Sequence, residues 1–326
     1  MRRREMIAML GGTAVAWPRA IMAQPARPVI GYLSASRSDV FSSSTQGFRD
    51  GLKELGYVDG GNLHIEYRWA ENRYDRLPAM AADLVGRHVA LIAALGSSNA
   101  PLAAKAATSS IPILFALGSD AVQLGLVASL NRPGGNATGV HFLFVSMVGK
   151  RFELLHEIAP KATTVALILE SFASSAAAET AEAETAAHRL GLNLIVVPVA
   201  GEDAIASAFA TAVERKADCV VIGNGPVING RPERNAVLSA RYRLPTIANV
   251  RQYADAGGLM SYGPSLADGF RKAGRYAGRI LNGEKPSDLP VQEADTFELA
   301  INLQTAKALG LAVPPSLLVR ADAVIE

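Results

Sequence analysis

The chain has 326 residues, 49 % of them hydrophobic, with 32 Lys and Arg against 30 Asp and Glu and a formal charge of +2. Arg2, Arg3, Arg4 and Arg19 against Glu5 place three positive charges in the first 23 residues, which leaves the remainder at −1. A near-neutral body with no Lys/Arg cluster excludes a nucleic-acid groove and a polybasic membrane patch. The single cysteine, Cys219, excludes an intramolecular disulfide.

The amino end reads as a secretory leader. Three arginines precede the short, small, apolar stretch Met6 to Trp17, and Ala23 offers a small residue before a cut at Gln24. The apolar run is shorter than the roughly 20 residues that span a bilayer. Paired arginines before Glu5-Met6-Ile7 also resemble a twin-arginine export signal, so the route, general secretory or twin-arginine, stays open. No cysteine follows the cut, which excludes a lipid anchor there. The expectation is an exported, periplasmic protein, not inserted in the membrane.

Behind the leader, short Val/Ile/Leu-rich runs alternate with helical periodicities. Val29 to Ser34 reads as a strand; Phe48, Leu52 and Leu55 mark a helix closed by Gly56. Leu63 to Trp69 alternates as a strand, and Tyr74 to Val85 reads as a helix. Val89 to Leu95 and Ile113 to Leu117 are near-continuous apolar runs of the kind parallel strands show, with a helix over Ala100 to Ala107 between them. After Phe142 a second series begins. Helices are expected over Phe152–Ile158, Ala176–Leu190, Ala204–Val213, Arg234–Arg243 and Leu266–Leu281. Strands are expected over Val165–Leu169, Leu194–Val199, Cys219–Ile222, Thr246–Asn249 and Gly258–Tyr262. Cys219 thus reads as a small buried hydrophobe. About 300 residues exceed what one core absorbs. The alternation predicts an α/β chain of two doubly wound parallel-sheet lobes. Residues 28–141 and 255–284 are assigned to the first lobe, 142–254 and 285–326 to the second.

In such sheets ligands bind beyond the carboxyl ends of the strands, beside helix N-termini. Those ends read Ser34-Ala35-Ser36, Gly96-Ser97-Ser98-Asn99 and Gly118-Ser119-Asp120 in the first series. In the second they read Glu170-Ser171, Gly223-Asn224-Gly225 and Asn249. Small polar residues there suit hydrogen bonds to a small polar molecule, and the same residue types are preferred helix caps. Glu170 ends an apolar strand, where a carboxylate needs solvent or a partner; a ligand ammonium is one such partner. Phe142 lies where the first series ends and is a candidate ligand contact. The five histidines are dispersed without metal-ligand spacing, and no phosphate loop, dinucleotide fingerprint or nucleophile elbow is present. No catalytic residue, metal or cofactor is expected.

Several stretches together resemble the ABC-transporter substrate-binding proteins of the tryptophan/tyrosine type. They are Gly47-Phe48-Arg49-Asp50-Gly51-Leu52-Lys53-Glu54-Leu55-Gly56-Tyr57, Ile65-Glu66-Tyr67-Arg68-Trp69-Ala70, Tyr74-Asp75-Arg76-Leu77-Pro78, Leu124 to Asn136, Gly257 to Gly263, and Thr305 to Leu311. The resemblance implies a type I periplasmic-binding-protein fold with three crossings between its lobes. It implies ligand capture by hinge closure, no enzymatic activity, and a membrane permease as the partner of a monomer. By position it implies a cleft lined by Ser34, Ser36, Ser97, Ser98, Ser119, Asp120, Phe142, Ser174, Asn224, Asn249 and Gly263, beside Glu170. The chain departs from the family pattern at Glu170, where Asn is common, at Asn224-Gly225, where Pro-Asp is common, and at Asn249, where an aromatic or acidic residue is frequent. Those departures count against an aromatic amino acid as the ligand. An exported sensory binding protein shares every one of these features; an exported enzyme would need a nucleophile–base pair that the sequence does not offer.

Overall fold

The structure, a computed structural model, describes residues 27–38, 42–173 and 175–326. The expected leader lies outside the described residues, as does Ser174. From the amino end the chain forms β1 (Val29–Ser34), α1 (Ser42–Glu54), β2 (His64–Trp69), α2 (Leu77–Gly86), β3 (Leu91–Leu95), α3 (Asn99–Ala107), β4 (Ile113–Leu117) and β5 (Ala137–Phe142). It continues through α4 (Val148–Ile158), β6 (Thr164–Glu170), α5 (Ala176–Leu190), β7 (Asn193–Val199), α6 (Ala204–Glu214), β8 (Cys219–Ile222), α7 (Pro226–Asn229), α8 (Pro232–Arg241), β9 (Thr246–Ala248), α9 (Arg251–Asp255) and β10 (Met260–Pro264). The last part comprises α10 (Leu266–Leu281), β11 (Gln292–Ala294), β12 (Phe297–Asn302), α11 (Leu303–Leu309), α12 (Pro315–Arg320) and β13 (Ala323–Ile325).

Two sheets result. The first has six strands in the order β11-β5-β4-β3-β1-β2; the second has seven, in the order β13-β12-β10-β9-β8-β6-β7. Each carries apolar cores on both faces. Tyr32, Leu95, Phe142 and Phe270 pack on one side of the first sheet, and Leu33, Ile92, Phe115 and Leu126 on the other. The second sheet is covered likewise by Phe152, Leu167 and Ile301 on one face and by Ile168, Phe209 and Ile228 on the other. This is the type I periplasmic-binding-protein architecture. Cys219 is buried in β8, and burial pushes its thiol up to about 12, as befits an inert core side chain. Among the described residues no helix is long and apolar enough to cross a membrane.

The lobe boundaries differ from those expected. Strand β10 pairs with β9 in the second sheet, and β11 pairs with β5 in the first. The chain therefore returns to the first lobe between Pro264 and Leu266, not at 255, and leaves it after Ala294, not at 284. Residues 251–257, which comprise α9 and the turn after it, lie within the second lobe. Strand β12 enters the second sheet from the side that faces the first lobe, so it runs antiparallel to β10. That makes the second sheet mixed rather than purely parallel. The expected helix from Tyr74 is also shorter: Pro78 belongs to the first turn of α2, and Tyr74–Arg76 forms a separate 3-10 turn.

The returning helix α10 is fixed to the first lobe by glycine. A Cβ on Gly51 would lie 2.0 Å from the carbonyl oxygen of Arg271, and one on Gly274 would lie 2.1 Å from that of Phe48. Backbone thus meets backbone along α1 and α10, and Glu54 pairs with Arg271 and Arg275 beside the seam. The helix so placed carries Leu266 and Phe270 toward the gap between the lobes. Gly51→Ala is expected to destabilise the protein by about 1–3 kcal/mol through overpacking, seen as a thermal melt several degrees lower. An unchanged melting temperature would mean that the seam is looser than described.

Candidate functional site

In both sheets the first strand lies between the second and the third, so each has its crevice beside that strand: β1 against β3 and β6 against β8. The loops leaving these strands face one another across the lobes. They enclose a cleft whose empty space, mouth included, is about 620 Å3. Ser97, Ser98, Ser119, Phe142 and Asn224 of the expected residues line it, together with Tyr74, Phe144, Ser175, Asn229, Val250, Leu266 and Phe270. Among the described residues, none that lines it carries a charged side chain.

The first lobe contributes hydroxyls. Ser97 Oγ accepts the Ala100 amide at 3.3 Å and caps α3, while Ser98 Oγ donates to Ser119 Oγ at 2.9 Å. All three serines are nearly buried at the positive end of a nine-residue helix. Ser34 lies one layer deeper, 3.5 Å from where a Cβ of Gly96 would be, and accepts the Ser36 amide. Ser36 is wholly buried, and its hydroxyl has no hydrogen-bond partner among the described residues. Neither residue lines the cleft. Asp120 is exposed, and its carboxylate accepts the Val122 and Gln123 amides at 2.8 and 3.1 Å. It closes a turn and does not reach the cleft.

The apolar wall is aromatic. Phe142 ends β5, and its ring centroid lies 5.6 Å from that of Phe144 and 6.2 Å from that of Phe270. Phe144 stands in the tight turn that follows, its amide donating to the Phe142 carbonyl at 2.9 Å, and no periodicity in the sequence marks it. Phe270 sits on α10 and Tyr74 in the turn before α2, and neither position carries a local signal. Gly118 lets the lobes approach: a Cβ there would lie 2.5 Å from the Phe144 ring and 3.1 Å from Asn224 Nδ2.

The second lobe is organised by buried charge. Glu179 is fully buried and accepts the Asn224 amide at 2.9 Å and the Ser175 hydroxyl at 2.7 Å. Arg151, also fully buried, donates Nη2 to the Phe144 carbonyl at 3.2 Å, while its Nε and Nη1 have no hydrogen-bond partner among the described residues. Burial lowers its guanidinium to about 10, against the opposing charge of Glu179. These two side chains hold three lining residues: Ser175, Asn224 and Phe144. Glu179 was legible in principle, since it shares the buried stripe of α5 with Ala183, Ala186 and Ala187. Asn249 is wholly buried and donates to Asn224 Oδ1 at 3.4 Å, behind the lining. Gly263 packs in β10 where a Cβ would meet the Asn249 carbonyl at 2.0 Å, away from the cleft.

Glu170 is placed otherwise than the sequence suggested. It is wholly buried and does not line the cleft; Oε2 accepts the Val227 amide at 3.0 Å and Oε1 accepts the Tyr74 hydroxyl at 2.5 Å. Both carboxylate oxygens are engaged by protein donors, so the expected pairing with a ligand ammonium is not what this geometry provides. Burial raises the carboxyls of both Glu170 and Glu179 above their ordinary value of 4.5. A carboxyl raised in the folded protein contributes stability below that value and loses the contribution as pH rises through the folded pKa. Measured by chemical denaturation, the stability of wild type relative to Glu179→Gln is therefore expected to improve as pH falls from 7 toward 4.5. A difference independent of pH would contradict this account of Glu179.

Comparison with known proteins agrees with this geometry. Residues 35–325 match the family described as ABC transporter substrate binding protein. A tyrosine-binding protein of Clostridioides difficile strain R20291 is 27% identical over 266 residues, 82% of this chain and 76% of that protein. The ABC domain from Streptococcus pneumonia in complex with L-Trp superposes with a TM-score of 0.83 at 25% identity, over 92% of this chain and all (100%) of that one. A ligand-free, open substrate-binding protein from Clostridium difficile gives 0.66 at the same 25% identity, over 91% and 99%. At the same 25% identity, the chain superposes better on the L-Trp complex than on the open protein. The chain belongs to the ABC transporter substrate-binding protein family, whose members are extracytoplasmic binding proteins and not enzymes.

Proposed function

We propose that this chain is the periplasmic solute-binding component of an ABC importer, and that it captures an amino acid with a flat aromatic side chain by closing its lobes. The observation that carries the reading is the cleft's division of labour. Phe142, Phe144, Phe270 and Tyr74 supply an aromatic wall against which a ring can pack, and hydroxyls and an amide supply hydrogen bonds at its ends. The serines at the α3 N-terminus suit a carboxylate. On the opposite lobe Asn224 stands in front of two buried carboxylates and one buried guanidinium, Glu170, Glu179 and Arg151, a wall that suits an ammonium. The two relatives, one tyrosine-binding and one holding L-Trp, support the same class. The departures at Glu170 and Asn249 do not count against it, because both side chains lie behind the lining and the aromatic wall is built elsewhere. The Arg-rich leader supports a periplasmic location, and a membrane permease is the partner of the closed form.

Calorimetry on the protein without its leader, with L-tryptophan, L-tyrosine, L-leucine and indole-3-propionate, tests the reading. The two aromatic amino acids are expected to bind, the aliphatic one and the acid lacking the amine far more weakly. Asn224→Ala and Ser98→Ala should each weaken binding by about 1–3 kcal/mol, up to roughly a hundredfold. Tighter binding of indole-3-propionate than of L-tryptophan, or no binding of either aromatic amino acid, would overturn the assignment.

A further inference from the structure

We infer that Tyr74 and Glu170 form a latch between the lobes, a hydrogen bond that exists only when they close and that adds to the affinity for any ligand held between them. The inference rests on the reading that the lobes close on a ligand, and goes beyond it by naming what holds them shut. Tyr74 belongs to the first lobe and Glu170 to the second, 96 residues apart in the chain. Each half is fixed within its own lobe. The loop leading to Tyr74 is tied to the end of β1: the Ala70 amide donates to Ser34 O at 2.9 Å, and the Asn72 amide to Ala35 O at 2.7 Å. On the other side, Glu170 Oε2 accepts the Val227 amide at 3.0 Å. A Cβ on Gly225 would lie 2.2 Å from that oxygen, so only glycine there admits the carboxylate.

Oε1 is then the oxygen left to face the first lobe, and the Tyr74 hydroxyl meets it. Burial beside Glu170 pushes the phenol far above its ordinary range, which keeps it a donor. A hydrogen bond to a buried carboxylate is stronger than one between neutral groups, and opening the lobes returns both groups to water. The latch favours closure itself and so leaves selectivity among ligands unchanged. Tyr74 also lines the cleft, so a plain loss of affinity would not separate a latch from an ordinary ligand contact.

The test uses Tyr74→Phe, Glu170→Gln and the double variant. It combines calorimetry on L-tryptophan and L-tyrosine with spin-label distances between Val122→Cys and Ala178→Cys, which sit on opposite lobes; the native Cys219 is buried. A latch predicts that Tyr74→Phe weakens both amino acids by one common factor of about tenfold. In the Glu170→Gln background the same change should cost far less. Without any amino acid, wild type should show a short-distance population that Tyr74→Phe loses. Unequal losses for the two ligands, equal losses in both backgrounds, or label distances unaffected by Tyr74→Phe would overturn the latch. If wild type binds neither amino acid, the proposed ligand class fails while the label distances still decide the latch.

Discussion

In a parallel sheet the strands end on one edge, so a chain that builds two such sheets and turns those edges toward each other gathers its βα loops in one gap. That polarity governs the rest of this molecule. It puts serines that cap a helix in the first lobe opposite an asparagine that follows a strand in the second. It also dictates the crossings. Strand β10 must exit at the gap to reach α10, and β12 must enter at the gap, which is why it alone runs against its neighbour β10. The glycine seam between α1 and α10 then brings Phe270 back to the same gap, though it lies more than a hundred residues from the other ring residues of the first lobe.

Among the described residues, those that line the cleft are uncharged, while the layer behind them is not. Arg151 and Glu179 hold Phe144, Ser175 and Asn224 from beneath, and Glu170 holds the turn that carries Pro226 and Val227. Charges so placed are shielded from water and act on the cleft through a low-dielectric layer, where their field is screened little. They need not touch a ligand to discriminate the sign of its charge. The close approach that makes this possible depends on missing side chains: Gly118 against Phe144 and Asn224, and Gly225 against Glu170.

Much of the fold could be read from local pattern. Strands β1, β4 and β8 and helices α5 and α10 have the bounds their apolar periodicity predicts. Strand β5 was not foreseen, because Thr138, Gly139 and His141 interrupt its apolar run; Gly139 is there because a Cβ would lie 2.0 Å from the Phe115 carbonyl oxygen. The short strand β11 is defined by a partner far away in the chain, which no window on the sequence contains, and its absence from the reading displaced one lobe boundary; the other was displaced because the expected strand at β10 pairs with β9 in the second sheet. The site divides in the same way. Ser97, Ser98, Ser119 and Asn224 follow from strand polarity alone. Tyr74 does not, because a proline four residues later converts an expected helical position into a turn that points at the other lobe. Glu170 was recognised as unusual, but its partner is a side chain of this chain and not a ligand group, and that pairing depends on how two lobes meet.

We propose that two rigid lobes close over an aromatic amino acid. Small-angle scattering on the protein without its leader, with and without saturating L-tryptophan, addresses it most directly. Closure predicts a smaller radius of gyration in the presence of the amino acid, reached at the same concentration at which calorimetry shows the site filled. A radius that stays constant while the site fills would contradict capture by lobe closure.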